Sequence, residues 1–183
     1  MDLFSANQLM WAAFIVGNSA PLLFITLYYT QKISRELFNL YFLGVLVGLT
    51  WEIPFALAGK SFHLILIDWP IDLPLARNIT YSFIDGLIFI VGVLLAKFFL
   101  KSNDFLHRFN STALLIMILW GSFSEFLVDL NGNGKLWLFM ENWYNPVFII
   151  INGNGLTIIP QLIWFFAPIV YYFSILKFQS KIF

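Results

Sequence analysis

Five apolar stretches, each about as long as the roughly 20 residues a helix needs to cross a bilayer, leave this chain few ways to fold. They are separated by shorter connections that carry most of the charged residues. Hydrophobic side chains make up 60% of the 183 residues and charged ones only 11%, against about 25% charged in an ordinary soluble domain. A soluble protein of this length has too little interior to hide that much apolar surface, so lipid is the expected solvent. The reading is an all-α integral membrane protein, a single bundle of five transmembrane helices in one domain over residues 1–183. The spans are expected at 6–30, 37–58, 75–100, 111–128 and from about Pro146 to about Leu176.

Sidedness follows from the basic residues. With five spans, Lys32, Arg35, Lys97, Lys101, Arg108, Lys177 and Lys181 fall on one side, and Lys60, Arg77 and Lys135 on the other. The positive-inside rule then places the amino terminus outside and the carboxyl terminus inside. The opening residues MDLFSANQ lack the positive region of a signal peptide, so the first apolar stretch is expected to be a retained helix. Two connections, 59–74 and 134–145, are too apolar for plain loops and carry Trp69, Trp137, Trp143 and Tyr144. They are expected to lie as interfacial segments at headgroup level. The membrane is either the plasma membrane of a prokaryote or the endoplasmic reticulum of a eukaryote.

Several functions are disfavoured at once. Net charge is zero and no basic stripe exists, so a nucleic-acid partner is not expected. There is no cysteine, which removes disulfides, thiolate chemistry and Cys-ligated metals. His63 and His107 fall on opposite faces in the expected topology, which argues against a two-histidine metal or haem site and a Ser/His/Asp set. The run from Asp129 imitates a calcium loop but has Met140 where the bidentate glutamate belongs, so it reads as a turn. The sequons at Asn78 and Asn110 lie at a helix entrance and on the inner side respectively. No metal or organic cofactor is implied.

Against that background, polar residues inside the spans stand out. An ionisable residue at membrane depth costs about 2.5–3.5 kcal/mol on insertion scales and usually faces the bundle interior. Glu52 lies on helix two, Asp85 on helix three and Glu125 near the outer end of helix four. With Asn152 and Asn154 placed on helix five, a rise of about 1.5 Å per residue puts all of them in the outer third of the bilayer. Gly153 and Gly155 would let a ligand or a neighbouring helix approach the backbone. Pro160 would open helix five at the carbonyl of Leu156. Trp51 and Trp164 are the aromatic candidates for the same pocket.

Two carboxyls in a dry site cannot both ionise cheaply, so one can serve as acid and the other as base. Aromatic faces stabilise a passing cation. Acid, base and an aromatic apolar cavity are what proton-initiated carbocation chemistry on an isoprenoid requires.

The same residues carry a resemblance. An acidic residue in the third helix, Asp85, is followed by the helix exit 126-FLVDLNG-132, the start 145-NPVF-148, and Asn154 with Pro160 in the last span. This layout resembles the emopamil-binding protein family, the EXPERA group of sterol isomerases and sterol-binding membrane proteins. The stretch 51-WEIPF-55 also looks like the fungal membrane cyclases of meroterpenoids. The chain has Gly48 where the sterol isomerases have a histidine four residues before the helix-two glutamate, and Thr157 where they have a tryptophan. The resemblance implies Glu52 and Asp85 as the proton-handling pair, with Asn154 as a polar partner.

The expected function is therefore a membrane isomerase or cyclase acting on an isoprenoid or sterol-like substrate. Glu52 would be the acid and Asp85 the base or second carboxyl. Asn152, Asn154, Glu125, Trp51 and Trp164 would contact substrate. Two other readings use the same residues: a lipid- or sterol-binding protein without chemistry, and a small packing subunit of a larger membrane complex or homo-oligomer. Ion transport is disfavoured, because no acidic residue continues a path into the inner half.

Overall fold

A computed structural model describes residues 4–73, 75–151 and 153–182. It is mostly helical, with five helices each long and apolar enough to cross a membrane. They are α1 (Ala6–Tyr29), α2 (Arg35–Ala58), α3 (Ala76–Leu100), α4 (Ser111–Gly132) and α5 (Ile158–Ile182). Four short strands accompany them, which an all-α reading does not contain: β1 (His63–Ile65), β2 (Trp137–Phe139), β3 (Val147–Ile151) and β4 (Asn154–Thr157).

Local chemistry sets the helix starts. Ser5 caps α1 in a reciprocal box with Gln8, which satisfies two otherwise orphaned backbone donors. Ser34 and Asn110 cap α2 and α4 by accepting from the amides of Leu37 and Ala113. For α5 the cap comes from farther away. The buried Asn145 side chain accepts from the Ile159 amide at 3.0 Å and donates to the Met140 carbonyl at 3.1 Å.

That cap marks a correction. The fifth helix begins at Ile158, and residues 147–151 and 154–157 pair as the antiparallel strands β3 and β4 instead of forming its first turns. The physical reason is legible afterwards. Val147 and Ile149–Ile151 are β-branched, which suits strand better than helix. Asn152–Gly153 is a strong two-residue hairpin signal, and Gly153 takes the positive φ of 80° that such a turn needs. Gly155 lets the Val147 side chain lie across it, at 2.6 Å from where a Cβ would stand. Pro160 falls in the first turn of α5, where proline removes no helical hydrogen bond. It does not open the helix.

Helix α3 packs against α1, α2 and α4, while α5 packs against α2 and α4. Glycines make the close approaches. Gly44 and Gly48 stand four apart on α2 and face Gly86 and Asp85 of α3, a small-xxx-small contact of the kind that joins helices in lipid. Gly121 on α4 admits Pro168 and Trp164 of α5. The seam between α2, α3 and α5 is aromatic: Phe89 stacks on Tyr171 and Trp164, and Trp164 meets Trp51 edge-on at 5.6 Å. The outward faces carry large exposed apolar residues such as Leu22, Leu46, Phe98, Phe123 and Phe166.

At one end of the bundle the connections 59–73 and 134–145 join. Strand β1 pairs antiparallel with β2, His63 opposite Phe139. The bonds from Met140 N to Phe62 O and from Leu66 N to Leu136 O extend the ladder. The result is a small β-cap, built from the two segments read as interfacial, over the ends of α2, α3 and α4.

Candidate functional site

Beneath the β-cap lies a cavity of about 430 Å³, within the range of small-molecule sites. Its wall includes Glu52 from α2, Asp85 from α3 and Glu125 from α4, with Trp51, Trp164 and His63. All three carboxyls and His63 are at most 9% exposed. Helical geometry explains the convergence. Glu52 stands six residues before the end of α2, Asp85 nine after the start of α3, and Glu125 seven before the end of α4. At about 1.5 Å per residue they lie some 9–14 Å below the capped end.

The carboxyls are held differently. Glu52 Oε2 accepts from Asn78 Nδ2 at 2.8 Å, and the same amide nitrogen donates to the Glu52 carbonyl at 3.0 Å. Asn78 Oδ1 in turn accepts from Arg77 Nη2 at 3.1 Å. Asn78 therefore fixes the Glu52 side chain and links it to a guanidinium. Its carboxamide is buried in this contact, which removes it as a glycosylation acceptor in the folded chain. Asp85 Oδ2 is buried with no hydrogen-bond partner among the described residues. It lies against the Cα of Gly48, where a Cβ would stand only 2.5 Å away. A buried acceptor without a partner is costly, and the residue that carries it stands in the cavity wall.

Not every expected residue is in this wall. Asn154 is the first residue of β4 and borders a second, smaller cavity of about 150 Å³ with Asp129, Asn133 and Gly134. Its carboxamide lies over Gly134. The placement on helix five, at the depth of Glu52, is corrected by the hairpin that occupies that stretch. Asn152 lies outside the described residues. The imitation calcium loop is the last turn of α4 followed by a tight turn, and Asp129 is engaged by Trp137 Nε1 and Gln161 Nε2 at 3.4 and 2.9 Å.

Two contributors were missed by sequence reasoning, Asn78 and His63. The sequon drew attention to Asn78 for the wrong reason. In the sequence His63 weighs only as half of a two-histidine or triad site and falls with it. Its ring stacks on Phe139 at 4.6 Å and meets Phe55 and Trp137 edge-on. Burial, with the Arg77 charge second, pushes its pKa down from 6.5 to about 3.

That shift carries a pH prediction. Between about pH 6.5 and 3 the unfolded chain binds a proton at residue 63 that the folded chain refuses, so stability falls as pH falls through this window. At about 1.4 kcal/mol per unit, acidification from pH 7 to pH 5 costs about 2 kcal/mol at this site. Denaturant unfolding in detergent at the two pH values should show wild type losing about that much more than His63→Phe. Equal losses would mean that the imidazole is not held neutral.

The fold and this site together define a class: a five-helix bundle of bilayer-crossing length with a β-cap over an acidic, aromatic cavity. No protein-family model, characterised protein or solved structure matches the sequence.

Proposed function

We propose that the chain is an integral membrane enzyme that isomerises or cyclises an isoprenoid by proton transfer in the cavity beneath the cap. The observation that carries this reading is the meeting of Glu52 and Asp85, from different helices, in one aromatic-lined cavity. The exposed apolar helix faces support membrane insertion. The excess of lysine and arginine at the other end of the bundle supports an outward-facing cap and an inward carboxyl terminus. Phe4 and Leu127 are exposed and also line the cavity, which supports a mouth between the start of α1 and α4. An apolar substrate can reach such a mouth from lipid. The likeness to the EXPERA group points to the same chemistry.

The step balances without a cofactor. Glu52, fixed by Asn78, gives a proton to one carbon of an alkene, whose π electrons form the new C–H bond and leave a carbocation at the other carbon. On an epoxide the proton goes to the oxygen, and a C–O bond then breaks to leave a hydroxyl and a carbocation. Trp51 and Trp164 present π faces to that cation. In isomerisation, Asp85 removes a proton from the adjacent carbon and the double bond re-forms one position along. In cyclisation, an internal alkene attacks the cation first and the same deprotonation ends the reaction. One proton is given and one taken, and no redox change occurs.

The test is incubation of the purified protein in heavy water with a sterol bearing a ring double bond and with a polyprenyl epoxide. An isomerised sterol carries one deuterium on carbon. A cyclised epoxide has unchanged mass, apart from its exchangeable hydroxyl, and a new ring. Substrates that bind and return unaltered would identify a lipid-binding protein instead, and substrates that do not bind would remove both readings.

A further inference from the structure

The chemistry of the cavity leaves the end of the bundle opposite the cap without a role. The seven lysines and arginines of that end are all exposed, and none forms a salt bridge among the described residues. Glu36 and Asp104 are the acidic residues beside them, which leaves five positive charges in excess. At the capped end Lys60, Arg77 and Lys135 are matched by Asp68, Asp72 and Glu141. Correct insertion asks only for a bias in the count of basic residues. The arrangement of these ones goes further.

The connection that carries Arg108 is tied to α5. The Tyr172 hydroxyl donates to the Phe105 carbonyl at 2.8 Å and accepts from the Asn110 amide at 2.9 Å. Gln179 Nε2 donates to the His107 carbonyl at 3.2 Å. Phe109 stacks on Phe173, with ring centroids 5.8 Å apart and planes 14° apart, yet both residues are more than half exposed. Lys177 follows Phe173 by four residues, so the two share a face of α5. Arg108 directly precedes Phe109. Two cations are thereby held beside one apolar pair of rings that faces away from the bundle.

Depth says what meets them. Phe173 and Lys177 stand 15 and 19 residues past Ile158, the start of α5, which is about 22 and 28 Å along the helix. The hydrocarbon of a bilayer is about 30 Å thick, so the rings lie within its far edge and the cations at headgroup level. A soluble anion would meet the cations and leave the rings unused. A phospholipid meets both, with phosphate for the guanidinium and ammonium and an acyl chain for the rings. We propose that this end of the bundle binds an anionic phospholipid of the adjoining leaflet, its phosphate between Arg108 and Lys177 and one acyl chain along Phe109 and Phe173. The site is independent of the cavity under the cap and of the chemistry proposed there.

The delipidated full chain in detergent is titrated with dioleoylphosphatidylglycerol and, separately, with dioleoylphosphatidylcholine, and bound lipid is counted by native mass spectrometry. The two lipids share their chains and differ in headgroup charge. Wild type should bind the anionic lipid at least about tenfold more tightly, since each cation near the headgroup is worth about fivefold. Arg108→Gln with Lys177→Gln should bring the two lipids to within about twofold of each other. Its unfolding temperature in delipidated form should match wild type, because both side chains are exposed. Arg108→Lys with Lys177→Arg should keep the preference, and so should Lys32→Gln with Arg35→Gln on the α1–α2 connection. Phe109→Ala with Phe173→Ala should weaken both lipids and leave their ratio. No preference in wild type overturns the proposal, as does a preference that outlives Arg108 and Lys177. An equal loss on removing Lys32 and Arg35 would mean a diffuse field with no site, and also overturns it. Inorganic phosphate that protects the protein from unfolding as well as phosphatidylglycerol does would make a soluble anion the occupant and overturn the lipid.

Discussion

On the proposed acid–base reading, Glu52→Gln should lower turnover by at least about a hundredfold, the usual worth of a positioned general acid, and leave the fold intact. The two halves of that expectation have separate grounds. Glutamine keeps the volume of the side chain and a carbonyl oxygen to accept from Asn78 Nδ2, so the α2–α3 contact survives. What it lacks is a proton to give. Asp85→Asn removes the acceptor for the returning proton and should fall by a similar factor. The double variant should be little worse than either single one, because the two groups act as a unit. Deuterium on the sterol product, with unfolding temperature as the control, measures all three. Full turnover by Glu52→Gln with an unchanged unfolding temperature would remove this carboxyl from the chemistry.

The carboxyl layer was legible in the sequence because helices are regular. Once the ends of α2, α3 and α4 are known to within a few residues, a fixed rise per residue places Glu52, Asp85 and Glu125 at similar depth. Their rarity within apolar spans singles them out. The fifth span failed for a related reason. Hydropathy records how apolar a segment is and not its backbone, so 145-NPVFIII-151 read as the top of a helix. Its β-branched run and Asn–Gly pair carried the opposite message. The β-cap was out of reach for another reason. His63–Ile65 pairs with Trp137–Phe139 across more than seventy residues of chain, and nothing local in either strand names its partner. His63 enters the cavity wall only through that pairing.

Gly48→Ala tests how tightly the site depends on the seam that builds it. In an isolated helix interior this substitution would stabilise by roughly 0.5–1 kcal/mol, because glycine loses more freedom on folding. Here the sign reverses. The new Cβ would stand 2.5 Å from Asp85 Oδ2, 2.9 Å from its Cβ and 3.1 Å from its Cγ. One turn away, Gly44 and Gly86 already bring the α2 and α3 backbones together, so the helices cannot separate at residue 48 alone. Overpacking of this kind costs about 1–3 kcal/mol, and the carboxyl that must move is the proposed base. Both unfolding free energy and turnover should therefore fall, with turnover still low at temperatures where the variant is fully folded. Adding Asp85→Ala removes two of the three contacts, so it should restore part of the stability and none of the activity, a non-additive result expected of touching residues. Gly48→His should be worse than alanine on both counts, since its ring would claim the space that the Asp85 carboxyl fills. A stabilised, active Gly48→Ala would mean that α2 and α3 lie farther apart than these contacts require, and that Asp85 does not stand where the proton transfer needs it.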